Sequence, residues 1–297
     1  MRPAISAIVV NYNAGALLRG CVDSLLNCPL EIEIIVVDNA STDGSLDALP
    51  ELPSIQIIRN QENRGFAAAC NKGVHAALSP FILFLNPDCS FQLGTLVGLL
   101  DALREDDHVG MVGGLLTNSD GSEQAGGRRA VPTPWRSFVR AFGLSRLAKR
   151  WPRLFYDFHL QKQPLPEFPV VVEAISGACM LVKREALDDV GLWDEGYFLH
   201  CEDLDLCMRF RQKGWEILFV PDAIIVHHLG VCSSSRPIFV EWHKHKGMIR
   251  FYRKFFRHQY PGVLMWLVTL GVWFRFGLVA VYHTLRRDVR SFGVNRV

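Results

Sequence analysis

The sequence predicts an α/β fold with a mostly parallel central sheet flanked by helices. Three observations point to it. Short apolar runs rich in Ile and Val recur through the first third of the chain. Segments with helix-spaced apolar positions lie between them. The runs are continuously apolar rather than alternating, as in strands covered on both faces. Strands and helices in alternation imply parallel neighbours joined by helical crossovers.

The elements follow in order. Ala7-Ile8-Val9-Val10 reads as the first strand. Leu17, Cys21 and Leu25 recur at four-residue spacing and define one face of a helix. Ile34-Ile35-Val36-Val37 is a second strand, ending at Asp38, and Ser54 to Ile58 a third. Phe66 to Leu78 is Ala-rich and helical. Phe81 to Leu85 is a fourth strand, ending at Asn86-Pro87-Asp88. The rhythm lapses from Thr117 to about Phe168, where Gly, Pro and Arg are frequent, and returns at Val170. Ser176 to Val182 reads as a strand that starts with small residues, and Lys183 to Leu187 as a short helix. Gly191 to Glu195 is a turn, and Phe198 to Cys207 opens the helix that carries Arg209 and Arg211.

Composition removes several classes. At 297 residues the chain holds one large domain or two modest ones. Its 49% hydrophobic content excludes a mostly disordered protein. Eight cysteines without a C-x-x-C pair argue against a zinc knuckle or a thioredoxin motif, and read as reduced thiols in a reducing compartment. Residues 1–6 run straight into a strand, without the basic and apolar regions of a signal peptide. No G-x-G-x-x-G follows the first strand, and no phosphate loop of the G-x-x-x-x-G-K-[ST] type occurs. A Rossmann dehydrogenase and a P-loop NTPase are therefore disfavoured.

Polar residues gather where strands end. The first strand is followed by Asn11-Tyr12-Asn13, the second by Asp38-Asn39-Ala40-Ser41-Thr42-Asp43-Gly44-Ser45, the fourth by Asn86-Pro87-Asp88. Open α/β sheets bind ligands beyond the carboxyl ends of their strands. The same residue types also make turns and helix N-caps, which suits Asp43, Gly44 and Ser45 equally well. Acidic residues at Asp38 and Asp88, on two separate strand ends, favour a ligand site. Glu202-Asp203 with Asp205 two residues on is more acid than the dipole of a helix N-terminus calls for.

These segments, in this order, resemble the family 2 glycosyltransferases of GT-A fold, and within them the branch of rhamnosyltransferases of bacterial cell-surface polysaccharides. The residues that carry the resemblance are Val9 to Asn13, Val37 to Ser45, Asn63-Arg64-Gly65-Phe66 with Asn71-Lys72-Gly73, and Leu85 to Asp88. Ser176-Gly177-Ala178, Gly191 to Glu195, Cys201 to Leu206 and Val226-His227-His228 complete it. Each is weak alone, whereas the ordered set, over roughly residues 5–235, is specific. The implied layout is a transferase domain over 1–235, with a donor half of about 1–115 and an acceptor half of about 116–235. Residues 236–297 follow as a C-terminal region.

The resemblance implies roles for matching positions. The reaction moves a sugar from a nucleotide diphosphate to an acceptor hydroxyl. Asp88 corresponds to the last acid of the family's D-x-D motif, whose first position is Asn86 here. His227 or His228 corresponds to a C-terminal metal or diphosphate contact. The implied cofactor is a divalent metal, Mn²⁺ or Mg²⁺, bound by hard oxygens with positions open to phosphate, and an imidazole ligand favours Mn²⁺. Asn11, Tyr12, Asn13, Asp38 and Asn39 line the nucleotide site, with Asn86 beside them. Arg64 either faces the diphosphate or lies exposed on its loop, and Gly65 allows a tight turn. Asp203 is the implied general base, with Glu202 able to share the role. One base and no covalent sugar intermediate imply inversion. Gly177, Ala178, Trp193 and Asp194 are expected to floor the sugar and acceptor subsites.

Charge is strongly segregated beneath the net +2. From Gln124 to Tyr156 there is no acid, while Arg128, Arg129, Arg136, Arg140, Arg146, Lys149, Arg150 and Arg153 alternate with Trp135, Phe138, Phe142 and other apolar residues. A basic amphipathic segment suits a membrane surface or a polyanionic ligand. Arg250, Arg253, Lys254 and Arg257 share one helical face. Pro261 to Phe274 is uncharged, then Arg275 precedes a second apolar run to Tyr282. An Arg at mid-membrane is costly, so interfacial or re-entrant helices on the anionic cytoplasmic leaflet of the plasma membrane are preferred over a span. His243-Lys244-His245-Lys246 reads as a solvated basic stretch rather than a metal tract. The expected partners are a nucleotide-sugar donor such as dTDP-rhamnose or a UDP-sugar, a saccharide acceptor on a polyprenyl diphosphate, and anionic lipid, with no nucleic acid.

Two other classes compete with this one. A sugar nucleotidyltransferase carries a Gly- and Arg-rich loop after its first strand, which Asn11-Tyr12-Asn13-Ala14-Gly15 does not match. A non-catalytic, membrane-bound sugar-nucleotide binder or assembly partner is opposed by the intact Glu202-Asp203 pair.

Overall fold

The computed structural model describes residues 3–155, 158–228 and 236–294. The donor half contains β1 (Ile5–Asn11), α1 (Ala16–Leu26), β2 (Ile32–Asp38), β3 (Ile55–Arg59), α2 (Phe66–Ala76), β4 (Phe81–Leu85), β5 (Cys89–Phe91), α3 (Thr95–Glu105) and β6 (Val109–Thr117). After it come β7 (Arg128–Arg129), α4 (Pro134–Ala141), β8 (Val170–Val171), β9 (Ala174–Ile175), β10 (Cys179–Lys183), α5 (Arg184–Val190), α6 (Glu202–Gln212) and β11 (Glu216–His227). Two long helices close the chain, α7 (Pro237–Phe255) and α8 (Gly262–Val294).

Among the described residues nine strands form one sheet in the order β3-β2-β1-β4-β10-β6-β11-β5, with β8 also on β11. The four predicted strands are parallel neighbours. The sheet as a whole is mixed, because β10 runs antiparallel to both β4 and β6. That reversal has a functional consequence. β6 and β11 again point the same way as β4, since β11 is parallel to β6. The carboxyl ends of β1, β2, β4 and β11 therefore meet the amino end of β10 at one edge.

The pleat divides the core in two. Ile8, Val10, Ile35, Val37, Ile82 and Phe84 face α2, α5, α6 and α7, while Ala7, Val9, Ile34, Val36, Leu83 and Leu85 face α1 and α3. Burial on both sides explains the unbroken apolar runs. Sequence reading did not single out α3, β6 or β11. Strand β6 carries Gly110, Gly113 and Gly114, which weaken the local strand signal. These glycines are packing requirements. A Cβ on Gly113 would lie 2.7 Å from the Ile175 side chain, and one on Gly114 would strike the Ala223 carbonyl, where the β6–β11 register shifts.

Helix α7 belongs to the main core rather than to an appended tail. Phe251, Tyr252 and Phe255 are buried in the same cluster as α2 and α6, each worth roughly 1.5–3 kcal/mol by burial. The His243–Lys246 stretch is not uniformly solvated. The His245 side chain is fully buried, its Nδ1 donating to the Glu241 carbonyl at 2.6 Å and its Nε2 accepting from Arg275 Nη1 at 2.9 Å. Burial lowers its pKa, so the ring stays neutral and able to accept. Arg275 thus has a partner inside an otherwise apolar helix. Helix α8 is continuous through it, and Gly262–Arg286 is long and apolar enough to cross a membrane.

Candidate active site

The first site element is a polar cluster at the ends of β1 and β2. Asn11 and Asp38 are register partners, and both are buried. The Asn11 amide Nδ2 donates to Asp38 Oδ1 at 2.8 Å and lies 3.0 and 2.9 Å from the hydroxyls of Ser41 and Ser45. Asp38 Oδ2 accepts from the Ser41 N–H at 3.1 Å. Asn13, at φ 53°, receives the Thr42 N–H on its Oδ1 at 2.8 Å and so pins the β2 loop over the β1 loop. The aromatic Tyr12 is half-buried on that rim. Asp38 thereby organises the loop.

Asn39 extends the cluster by a relay. Its Nδ2 donates to the Gly65 carbonyl at 3.1 Å, its Oδ1 accepts from Asn60, and Asn60 in turn accepts from Lys72 Nζ at 2.6 Å. Gly65 has φ 87°, and a Cβ there would stand 2.5 Å from the Phe198 carbonyl oxygen. Only glycine allows this approach. It locks the loop before α2 onto the segment leading into α6. Arg64 is exposed on the same loop.

The second element lies at the ends of β4 and β11. His227 Nε2 lies 3.2 Å from Asp88 Oδ1, and both residues are buried. The tautomer of His227 follows from its neighbour. Gln124 Nε2 donates to the His227 carbonyl at 3.2 Å and to Asn118 Oδ1 at 3.1 Å, so the amide turns its Oε1 to His227 Nδ1 at 2.6 Å. In the neutral ring Nδ1 then carries the proton, and Nε2 presents a lone pair toward the Asp88 carboxylate. Two acceptors facing each other fit a cation, and a second partner that fixes the far ring nitrogen is the usual companion of a metal-ligating imidazole. Cys89 is close enough to join them. Its thiol is pushed well above its usual range by burial, then by Cys179 and Asp88, and it donates to the Ala178 carbonyl. Asp88 and His227 are thus the side chains here that could hold a hard divalent ion. His228 points elsewhere, its Nδ1 meeting the Ser119 hydroxyl at 3.1 Å. Asn86 Nδ2 stands 3.4 Å from His227 Nε2.

The third element is the acid pair at the start of α6. His200 and Cys201 precede it at φ 67° and 71°. Non-glycine residues in this region are strained, and such strain collects at functional turns. Helix α7 packs directly on this turn, for a Cβ on Gly247 would lie 2.7 Å from the His200 carbonyl. Glu202 is buried, and one of its oxygens lacks a hydrogen-bond partner among the described residues. Burial and then the Asp203 charge push its pKa well above the ordinary carboxylate range. Asp203 Oδ2 accepts from the Gly177 N–H at 3.2 Å and is ion-paired with Arg129 Nη2.

Gly177 and Ala178 join the second and third elements. The Gly177 N–H holds Asp203, while the Ala178 carbonyl accepts the Asn86 N–H at 2.9 Å, two residues from Asp88. A Cβ on Gly177 would come within 3.2 Å of Asp203 Cβ, so the small residue permits the contact. Two expected floor residues are placed otherwise. Trp193 is 3% exposed and packs edge-on against Phe66 and Phe84 in the core. Asp194 is engaged by Arg250 and Lys254 of α7, both at 2.8 Å. Burial would raise its pKa, but hydrogen bonds from Lys254, the Gly196 N–H and Arg250 prevail and hold it at about 2. Sequence reasoning assigned no individual role to Arg129 or Gln124. Arg129 stood among eight basic residues, and nothing local marks which of them turns inward.

The family model for glycosyl transferase family 2 matches residues 6–191. The chain belongs to this family. A second model, glycosyl transferase family group 2, matches residues 131–288. Glycosyl transfer is accordingly the class of reaction this enzyme performs. Among its relatives is the N-acetylglucosaminyl-diphospho-decaprenol L-rhamnosyltransferase of Mycobacterium tuberculosis, 28% identical over 250 residues, which are 80% of each chain. The dTDP-rhamnosyl transferase RfbF of Shigella flexneri is 23% identical over 85% of this chain and 78% of its own. The GT-A fold is seen in the mannosyltransferase PcManGT from Pyrobaculum calidifontis, solved with GDP-Man and Mn²⁺. It has a TM-score of 0.56 at 19% identity, covering 86% of this chain and 64% of that one. GalNAc-T7, solved with UDP, GalNAc and Mn²⁺, has a TM-score of 0.60 at 20% identity, covering 85% of this chain and 48% of the other.

Proposed function

We propose that this glycosyltransferase transfers rhamnose from dTDP-rhamnose, with inversion, to a hydroxyl of a saccharide carried on a polyprenyl diphosphate, in cell-surface polysaccharide synthesis. The supporting observation is the Gly177-Ala178 hinge, which ties Asp203 to the strand end bearing Asp88. In this reading residues of 1–115 bind the donor and those of 116–235 the acceptor. Asn11, Asp38 and Asn39 hold the nucleotide by hydrogen bonds from a preformed cluster, which limits the entropy cost of binding. Asp88 and His227 hold a divalent cation, Mn²⁺ or Mg²⁺, which stabilises charge on the departing diphosphate when bound. Asp203 Oδ2 takes the acceptor proton as the hydroxyl attacks. Arg129 and the Gly177 N–H orient that carboxylate, and Glu202, its pKa raised by burial, is the neighbouring proton reservoir. The rhamnosyl and lipid-linked choices rest on the relatives from M. tuberculosis and S. flexneri. The enzyme then works at the cytoplasmic face of the plasma membrane, with the exposed faces of the C-terminal helices against anionic lipid.

A donor screen by thermal shift tests this reading. The purified protein is scanned with dTDP-rhamnose, UDP-glucose, UDP-galactose, UDP-N-acetylglucosamine and GDP-mannose, in Mn²⁺ and in EDTA. Metal-dependent stabilisation by dTDP-rhamnose alone, lost in Asp88→Ala, is expected. Stabilisation by a different donor would replace the sugar, and stabilisation unaffected by Asp88→Ala would remove the metal assignment.

A further inference from the structure

A cleft of about 990 Å³ opens where the segment after α4 meets the last turn of α6 and the junction of α7 with α8. Its charged lining is Arg136, Arg153, Arg211 and Glu173. Arg136 pairs with Glu173 at 2.7 Å, so three guanidinium groups and one carboxylate leave two positive charges. Phe256 and Tyr260 line its other side. Beyond them begins α8, which exposes Val263, Leu264 and Trp266 on its first turns.

We infer that this cleft holds the diphosphate of a prenyl-diphosphate-linked acceptor, with the isoprenoid chain leaving along α8. The inference rests on the transferase reading above and deepens it. Charge is the first support. A diphosphate esterified at both ends carries two negative charges, the match of the lining. Guanidinium groups are suited to it because their forked donors engage phosphate oxygens two at a time. Spacing is the second. Arg211 lies eight residues beyond Asp203 on α6, about 12 Å along the axis. That separation accommodates one sugar ring joined to a diphosphate, with the ring hydroxyl at the base. Continuity is the third. Val131 of the cleft follows β7, whose Arg129 grips Asp203, so the charged cleft and the base are two ends of one short segment. The apolar face of α8 next to Phe256 and Tyr260 is where a hydrocarbon tail leaves water.

Farnesyl diphosphate is the probe, titrated against the full-length protein by Trp fluorescence, since Trp135 lines the cleft. Arg153 and Arg211 are exposed, so substituting them spares the fold. Arg153→Ala and Arg211→Ala are each expected to weaken binding about tenfold, and Arg211→Lys to recover part of it. In transfer assays the same variants should raise KM for a prenyl-diphosphate saccharide, with KM for the sugar nucleotide unchanged and an octyl glycoside acceptor unaffected. Equal binding by wild type and both alanine variants would overturn the inference. So would equal affinity for inorganic pyrophosphate, which would make it a free-phosphate site, or full competition by dihexanoyl phosphatidylglycerol, which would make it a headgroup site. Probe binding needs neither donor nor turnover. A protein that binds farnesyl diphosphate at these arginines yet transfers no sugar would therefore sink the transferase reading and leave the cleft assignment standing.

Discussion

Arg129 closes on Asp203 across 74 residues of sequence, and the pair sits against the Gly177 N–H. The Arg129 guanidinium is also a positive neighbour of the buried Glu202, whose carboxyl pKa it lowers against the rise caused by burial and by Asp203. Arg129→Gln removes the guanidinium and leaves two adjacent carboxyls. Loss of a positive neighbour raises a carboxyl pKa, so deprotonation of Glu202 moves to still higher pH. The acid limb of kcat/KM should shift upward by about one pH unit, and Arg129→Lys should restore most of it. A pH–rate profile measures this. An unshifted limb would show that Arg129 only braces the loop.

Asp203→Asn keeps the shape and the Gly177 contact but cannot accept a proton. Transfer should fall about 10²–10⁴-fold with donor affinity unchanged. Steady-state kinetics alongside donor titration separates the two, and normal turnover would reject Asp203 as base.

Gln124 holds His227 by both its carbonyl and its Nδ1, and under the proposed metal assignment it acts on the cation through that ring. Gln124→Ala frees the ring and the tautomer, so the Mn²⁺ concentration for half-maximal activity should rise about 10–100-fold. At saturating Mn²⁺ the rate should approach wild type. Metal titration of the two proteins distinguishes this from a general loss of folding, which added metal would not rescue.

Gly65→Ala meets both a positive φ and the Phe198 backbone. The cost should be about 1–3 kcal/mol, read as a fall in the chemical-denaturation midpoint with unchanged slope. Ala at Gly15, which has nothing within 4 Å of a built Cβ, pays only the φ penalty and should be milder.

The latch between Asp194 and α7 titrates in acid. Its folded pKa of about 2 is below the ordinary Asp value, so its stabilisation is complete above the unfolded pKa of about 4. It is lost as pH falls from there toward 2. Asp194→Asn should lower Tm by about 2–4 °C at neutral pH and flatten the Tm profile between pH 4 and 2. Calorimetry across that range decides it.

Much of the donor half was legible in the sequence. Strands β1 to β4 and helices α1 and α2 are marked by side-chain periods, which are local properties of a chain. The placement of Asn11, Asp38 and Asp88 at strand ends follows from the same pattern. Strand β6 was hidden because its glycines answer to Ile175 and Ala223, residues far away in sequence. Helix α8 was read as two apolar runs broken by Arg275, since its partner His245 lies on another helix.

By itself, then, the sequence determined the alternation of strands and helices, the ordered polar segments and the acid pair of α6. Periodicity, capping and charge act between near neighbours and are written where they act. Tertiary structure alone decided that His227 rather than His228 turns to Asp88, and that Arg129 is the arginine on Asp203. It also sent Trp193 into the core and Asp194 to α7. The first of these depends on the antiparallel insertion of β10, which sets β6 and β11 beside the donor half. Strand order is settled by contacts between distant segments, whose energies no local pattern records.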